Sequence, residues 1–181
     1  RHQQRTWRQH VGMDVANDLE HTMRVIWLSL ILARREGVKN EEKIMKLALI
    51  HDIGETRTGD HNYMQRVYVK SHEEKAAKHL FNKTSLEDLG SDLLNEYEER
   101  TSLESRIVKD ADNLDIDLEL RELANQGSQM LTKWRKTRRL IRDEKLYTKS
   151  AKDLWDALDK VDVDDWHMTA NKWYKIPSAG K

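Results

Sequence analysis

The sequence contains no cysteine, one proline and seven glycines among its 181 residues. The absence of cysteine excludes disulfide bonds, thiolate zinc sites and cysteine nucleophiles, so any metal ion must be bound by histidine and carboxylate side chains. Residues that break helices or form turns are scarce, whereas Leu, Lys, Glu, Asp and Arg dominate the composition. We therefore predict an all-α protein.

Long hydrophobic runs and an excess of one charge are also missing. No apolar run approaches the roughly 18 residues of a membrane span, and no signal peptide is visible, so we expect a cytoplasmic protein without membrane association. Lys plus Arg and Asp plus Glu number 32 each, which argues against binding of polymeric nucleic acid. The length fits a single domain with a substantial hydrophobic core.

Hydrophobic periodicity predicts a series of helices. They cover residues 18–35, 41–53, 71–82 and 92–99, followed by a long helix that starts at Thr101 and ends at Gly127. Asn17 or Asp18 is the expected N-cap of the first helix, and Gly54 is expected to end the second. In the first helix, the apolar stripe comprises Leu19, Met23, Ile26, Leu30 and Ala33. Residues 55–69 lack periodicity, and we predict a functional loop there.

The long helix has the clearest start signal, a capping box formed by Thr101 and Glu104. Two or three further helices are expected after residue 130. We predict a core at residues 1–130 and a helical extension at 131–181 that packs on it, within a single domain. That extension contains Trp134, Trp155, Trp166 and Trp173. These side chains are predicted to anchor the extension to the core, and any that stay exposed would suit a homodimer interface.

Candidate functional residues cluster at the end of the second helix, where residues 48–60 read ALIHDIGETRTGD. His51 follows Leu47 by four residues and Ala48 by three, so its side chain points to the core side of the helix. Asp52 is adjacent. Burying such groups is costly unless they are paired or bound to a metal, so this segment predicts a metal site whose other ligands come from elsewhere in the chain.

His21 and an aspartate of the long helix are candidates for those other ligands. His21 lies in the first turn of the first helix, beside its apolar stripe. Asp112 interrupts an apolar row between Val108 and Ile116. Helical geometry alone admits Asp110 equally well, since it lies between Ile107 and Leu114.

The order of these residues resembles that of the HD-domain metal-dependent phosphohydrolases. HDIGETRTGD resembles the HD-x-x-E-x-x-x-G-D segment of the 5'-deoxynucleotidase-like branch. EHTMRV at 20–25 resembles the segment with the first histidine, and VKDADNLD at 108–115 resembles the segment with the last aspartate, which selects Asp112. Arg5 and Trp7 resemble an Arg and a Trp that precede the first metal histidine. The resemblance covers residues 5–125.

The resemblance implies a helical bundle with one divalent metal site between its helices. The implied ligands are His21, His51, Asp52 and Asp112. Mn, Co, Fe, Zn and Mg all suit such a site. A metal ion there acts as a Lewis acid toward phosphate and lowers the pKa of a water that becomes the nucleophile.

The same resemblance assigns roles beyond the metal. Glu55 orients the attacking water or takes its proton, and Asp60 contacts a sugar hydroxyl or assists the leaving group. Arg5 neutralises phosphate charge, while Trp7 packs against the sugar and crowds the 2' position.

The expected activity is hydrolysis of nucleoside 5'-monophosphates, mainly 2'-deoxyribonucleotides, to nucleoside and phosphate. A phosphodiesterase or a (p)ppGpp-type pyrophosphohydrolase on the same scaffold is the alternative enzyme. A catalytically idle module that senses nucleotides is the alternative from another class. The chain departs from the family at 61–64, where HNYM replaces a proline-rich segment, and in the close spacing of Arg5 and Trp7. Both departures concern the substrate pocket.

Overall fold

Helices are the main secondary structure in the part of the chain that the structure describes. The computed structural model describes residues 2–169, where the only extended pairing is one antiparallel bridge between Gln4 and Asn17. The α-helices are α1 (Arg8–Val11), α2 (Asp18–Arg35), α3 (Glu41–Ile50), α4 (Glu55–Thr58), α5 (Glu73–Phe81), α6 (Leu94–Glu99), α7 (Leu103–Asn125), α8 (Met130–Glu144), α9 (Lys149–Leu158) and α10 (Asp165–Thr169). A 3-10 turn covers Gln65–Val67 and a π-helical turn covers Leu89–Leu93. The all-α prediction is confirmed. None of the described helices has the length and hydrophobicity that a bilayer span requires.

Helix α2 has the predicted bounds because a capping box fixes its start. The Asn17 side chain accepts hydrogen bonds from the backbone N–H groups of Leu19 and Glu20, and the Glu20 carboxylate accepts one from the Asn17 N–H. This arrangement satisfies donors that the start of a helix leaves unpaired.

The predicted α2 stripe is partly correct, because Ala33 is buried and Ile26 and Leu30 pack against the core, but it is wrong for Leu19 and Met23. Both of those side chains are more than half exposed, whereas Val25, Leu28 and Leu32 are buried against the core. Since α2 is apolar around most of its circumference, periodicity fits more than one face, and contacts with neighbouring helices decide which one is buried.

The second helix is shorter than predicted. Helix α3 ends at Ile50, and residues 51–54 form a turn that leads into α4. Gly54 does not end α3. A Cβ at this position would lie 2.5 Å from the backbone oxygen of Glu73, so glycine allows the start of α5 to pack directly against the turn. The predicted loop at 55–69 also contains α4 and the 3-10 turn.

The N-cap of helix α7 lies one residue later than predicted. Its N-cap is Ser102, whose hydroxyl accepts from the Ser105 N–H, while the Ser105 hydroxyl accepts from the Ser102 N–H. The predicted capping box of Thr101 and Glu104 is therefore wrong. The returning hydrogen bond from the N-cap N–H is accepted by the Ser105 hydroxyl and not by a glutamate carboxylate. The helix ends before Gly127, whose φ is 98°.

Helices α2, α3 and α9 pack against α7 around the main hydrophobic core. Two buried aspartates of α7 attach the C-terminal helices to it. Asp110 accepts hydrogen bonds from the Tyr147 N–H, the Thr148 N–H and the Thr148 hydroxyl at 2.7–2.8 Å. Asp117 accepts two from the Arg138 guanidinium on α8 at 2.8 and 3.0 Å. These bonds fix where α8 and α9 lie.

The C-terminal tryptophans behave differently from one another. Trp155 is buried in the main core, and Trp134 packs half-buried against a second cluster that contains Trp7. The predicted anchoring is confirmed for these two. It is wrong for Trp166, which is 70% exposed, and Trp173 lies outside the described residues. The division at residue 130 stays a prediction.

Candidate metal centre and its pocket

Four side chains predicted as metal ligands meet in the structure, brought together from three parts of the fold. His21 comes from α2, His51 and Asp52 from the turn after α3, and Asp112 from the middle of α7. One ligand atom from each side chain lies within 4.8 Å of all the others. The packing of α2, α3 and α7 thus assembles the cluster from residues up to 91 positions apart in the sequence.

The distances inside the cluster fit a bound ion. The Nε2 atom of His21 lies 3.2 Å from His51 Nε2, 3.4 Å from Asp52 Oδ2 and 3.3 Å from Asp112 Oδ1. His51 Nε2 lies 3.2 Å from Asp52 Oδ2. Ligands about 2.1 Å from an ion lie roughly 3.0–3.4 Å apart in octahedral or tetrahedral geometry, so the side chains are already arranged for one cation.

The hydrogen bonds behind the two imidazoles give an independent test of fit. His21 Nδ1 lies 2.6 Å from Asp115 Oδ2, and His51 Nδ1 lies 2.8 Å from the Ala48 carbonyl oxygen. Both partners are acceptors, so each Nδ1 carries a proton and each Nε2 presents a lone pair. Two lone pairs and two carboxylates then face one another, an arrangement that a divalent cation stabilises.

The electrostatics of His21 point the same way. Burial alone would lower the pKa of His21, but hydrogen bonds with Asp112, Asp115 and Asp52 raise it well above its ordinary value. The metal-free cluster therefore attracts a positive charge. A divalent ion can supply that charge in place of a proton.

Asp115 is a functional residue that sequence reasoning missed. It is buried beneath His21, and its Oδ1 lies 2.6 Å from the Nε atom of Arg24, which also pairs with Glu119 and Glu122. Carboxylates in this position orient a ligating histidine and raise its basicity. The available signal was spacing, because Asp115 follows Asp112 by three residues and so lies on the same face of α7.

Glu55 lies at the start of α4, one turn after Asp52, and lines the same cavity. It is 3% exposed, with the Arg66 Nη2 atom 3.6 Å from its Oε1. Burial, reinforced by the Asp52 and Asp60 carboxylates, raises the pKa of Glu55 to about 10. A carboxyl group with a raised pKa beside a metal centre can exchange protons with water, and a bound cation lowers that pKa.

Arg5 and Asp60 are held together beside the cluster by the N-terminal segment. Arg5 Nη1 lies 3.3 Å from Asp52 Oδ2, and its Nε lies 3.9 Å from Asp60 Oδ2. The same Asp60 oxygen accepts hydrogen bonds from the N–H and the hydroxyl of Thr6, at 2.7 and 3.2 Å. Asp60 therefore fastens the segment that delivers Arg5. Trp7, two residues further on, is buried in the cavity wall.

The site opens into a cavity of about 610 Å³. At its charged end, the described side chains are Arg5, Asp52, Glu55, Asp60, Arg66, Lys109 and Asp112. Lys109, a further residue that sequence reasoning missed, lies three residues before Asp112 and places its Nζ 2.6 Å from Asp112 Oδ2. The cationic side chains of Arg5, Arg66 and Lys109 can contact a phosphate there, and a bound divalent cation would offset the negative charge of Asp52 and Asp112.

Comparison with known proteins places the chain in a family. A family model described as HD domain matches residues 1–161. A 5'-deoxynucleotidase HDDC2 from Dictyostelium discoideum is 30% identical over 140 residues, which cover 70% of this chain and 73% of that protein. A protein of the same name from Danio rerio is 32% identical over 114 residues, which cover 57% of this chain and 53% of that protein.

Solved structures share the fold. A conserved hypothetical protein from Pyrococcus furiosus matches 87% of this chain and 92% of its own, with a TM-score of 0.70 and 26% identity. A predicted metal-dependent phosphohydrolase from Magnetospirillum magnetotacticum matches 80% of this chain and 76% of its own, with a TM-score of 0.60 and 24% identity. The chain therefore belongs to the HD-domain family and is a metal-dependent phosphohydrolase.

Proposed function

We propose that this enzyme hydrolyses nucleoside 5'-monophosphates, preferentially 2'-deoxyribonucleotides, to nucleoside and phosphate. One observation carries the proposal: two members of the four-residue cluster line the same cavity as the buried side chains of Glu55 and Arg5. That cavity therefore combines a cation site, a group that can move a proton and a guanidinium for phosphate. The names of the two curated relatives support the same substrate class.

The proposed ligands are His21, His51, Asp52 and Asp112. A donor set of two imidazoles and two carboxylates accommodates Mn, Co, Fe, Zn or Mg. When bound, the ion supplies Lewis acidity toward a phosphate oxygen and lowers the pKa of water at the site.

The chain's own residues carry the other steps. Glu55 orients the attacking water or takes its proton. As the new bond to phosphorus forms, the bond between phosphorus and the 5'-oxygen breaks, and that oxygen leaves with a proton as the nucleoside hydroxyl. Asp60 contacts a sugar hydroxyl or assists this leaving group, and Arg5 neutralises phosphate charge. Trp7 packs against the sugar and leaves little room for a 2'-hydroxyl.

Phosphate release from a panel of ribo- and deoxyribonucleoside monophosphates, assayed with Mn, Co and Mg, tests the proposal. We expect deoxyribonucleotides to be the better substrates. The Glu55→Ala variant should keep its metal but lose about two orders of magnitude or more in kcat, as is typical when a positioned acid–base group is removed. A Glu55→Ala enzyme with wild-type kcat assigns that role to another residue. Hydrolysis of cyclic or pyrophosphate substrates alone would select one of the alternative activities.

We also propose that the enzyme is a homodimer and acts in the cytoplasm, where nucleoside monophosphates are made. The surface that supports a dimer is the outer face of α2 and α3. It comprises Leu19, Met23, Trp27, Ile31, Met45 and Leu49, which are between 42% and 63% exposed. The four α2 residues recur every four positions, on the side opposite the buried His21 and Val25.

The size of this face argues for a second copy of the chain. A large side chain presents about 150–250 Å² when fully exposed, so these fractions amount to roughly 600 Å² of apolar surface, at the upper limit for a monomer. A standard interface buries about 800 Å² per partner. Trp27→Glu should convert a dimer to a monomer in light scattering, whereas Leu140→Glu on α8 should not. A monomeric wild type would refute the dimer.

A further inference from the structure

The cavity has a second, apolar end, of which the proposed function uses only Trp7. Its described lining residues there are Trp7, Tyr63, Ile116, Trp134 and Ile141. Ile116 follows the cluster residue Asp112 by four positions on α7, about 6 Å along the helix axis. A ligand whose phosphate lies at the charged end would therefore extend its remaining part toward these side chains.

Trp134 is the centre of an aromatic group at this end. Its ring centroid lies 5.8 Å from Trp7 and 6.2 Å from Tyr63, and the Tyr63 ring stands nearly perpendicular to it, at 83°. His10 contacts both rings, with centroids 5.6 Å from Tyr63 and 6.5 Å from Trp134. The rings of Tyr63 and Trp134 thus form a corner. Trp134 is half-buried, and Tyr63 is 60% exposed.

Both sides of this corner are held in place. The buried pair of Arg138 and Asp117 fixes α8, which carries Trp134, against α7. The loop that carries Tyr63 is fixed through Asn62, whose N–H donates to the Thr6 hydroxyl at 2.9 Å. The side-chain oxygen of Asn62 also accepts from two backbone N–H groups of the next turn, at 3.0 and 3.1 Å. The corner is therefore organised before a ligand arrives, which lowers the entropy cost of binding.

We infer that Trp134 and Tyr63 form the nucleobase subsite of this enzyme, where the base of the substrate stacks in the aromatic corner. The inference rests on the proposed function, since it takes the ligand to be a nucleotide. Base–aromatic stacking tolerates every base because each has a π-face. The corner therefore binds purines and pyrimidines alike, and it selects nucleotides over phosphate esters that lack a base. This subsite also gives a shared role to helix α8 and to the HNYM segment at residues 61–64.

The test compares Trp134→Ala with Trp134→Phe and with the control Leu140→Ala, an exposed position on the same helix. The ligands are deoxyadenosine monophosphate, thymidine monophosphate and 2-deoxyribose 5-phosphate, which has no base. We expect Trp134→Ala to raise KM for both nucleotides on the order of tenfold or more, with a much smaller effect on kcat. The inhibition constant of 2-deoxyribose 5-phosphate should change far less. Trp134→Phe should restore most of the affinity, and Leu140→Ala should match wild type.

Equal effects on all three ligands, or no effect on the nucleotides, would overturn the subsite. If Trp134→Ala fails to fold, Tyr63→Ala replaces it, because a side chain this exposed contributes little to the core. Calorimetric binding of deoxyadenosine separates this inference from the proposed function. Binding that depends on Trp134 supports the subsite even if no nucleotide is hydrolysed, whereas hydrolysis that is insensitive to both variants supports the function and refutes the subsite.

Discussion

Asp115 provides a sharp test of how the metal centre is organised, because it touches a proposed ligand without being one. In Asp115→Asn the side chain keeps its shape, and its amide oxygen can still accept a hydrogen bond from His21 Nδ1–H. The negative charge is lost, and with it the polarisation of the imidazole and the pairing with Arg24.

The structure sets the size of the expected effect. The Asp115 oxygen lies 2.6 Å from His21 Nδ1 and is shielded from solvent, so solvent screens the interaction little. Loss of a carboxylate partner behind a ligating histidine lowers metal affinity by about 10–100-fold, which corresponds to roughly 1.4–2.7 kcal/mol of binding free energy. We expect Asp115→Asn near the lower bound, since one hydrogen bond survives, and Asp115→Ala near the upper bound.

Calorimetric titration of the metal-free protein with Mn²⁺ or Co²⁺ measures this effect. Glu122→Gln is the matched control, because Glu122 also pairs with Arg24 but does not contact His21. Its metal Kd should stay within about twofold of wild type, as expected for a partly exposed ion pair. A wild-type Kd in Asp115→Ala, or equal losses in Asp115→Asn and Glu122→Gln, would refute the positioning role of Asp115.

Further predictions concern proton linkage, stability and specificity. In the metal-free protein the folded state keeps a proton on Glu55 that the unfolded state loses above about pH 4.5. The free energy of unfolding of wild type should therefore fall between pH 5 and 8, by up to about 1.4 kcal/mol per pH unit more than that of Glu55→Gln. Denaturant titrations at several pH values measure this difference. A pH-independent difference would contradict the raised pKa. Asp110→Ala should lower the free energy of unfolding by about 3 kcal/mol, because donors of residues 147–148 lose their hydrogen-bond acceptor. The folded fraction should bind as much metal as wild type, and loss of metal would instead make Asp110 part of the metal centre. Gly54→Ala should lower both thermal stability and kcat, since a Cβ cannot fit against Glu73 without moving α4 and its Glu55. Wild-type thermal stability and kcat in this variant would show that the turn adapts freely. Trp7→Ala should narrow the ratio of kcat/KM for deoxy over ribo substrates, and an unchanged ratio would remove Trp7 from sugar selection.

The sequence predicts the metal cluster better than it predicts the surfaces around it. His51 and Asp52 are conspicuous because they end an apolar helix, and the order of motifs leads to His21 and Asp112. Helical period alone could not separate Asp112 from Asp110. The reason is tertiary: Asp110 is satisfied by donors 37 and 38 residues away, which no local pattern reveals.

The remaining differences have similar causes. Helix α2 is apolar on two sides, so its buried face depends on where α3 and α7 pack rather than on its own sequence. Gly54 resembles a helix terminator, yet its role is to permit contact with α5. Trp134 resembles any other packing tryptophan until Arg138 and Asp117 set the position of α8 beside the cavity.

The central claim is that the four-residue cluster binds a catalytic divalent ion for hydrolysis of deoxynucleotides. The most direct measurement is metal content and phosphate release from deoxyadenosine monophosphate, made on the same preparations of wild type and Asp52→Asn, before and after chelation and after addition of Mn²⁺ or Co²⁺. We predict one ion per wild-type chain, loss of phosphate release on chelation and its recovery with metal, and neither metal nor turnover in Asp52→Asn. Undiminished phosphate release by the chelated enzyme, or full metal content and turnover in Asp52→Asn, would contradict the account.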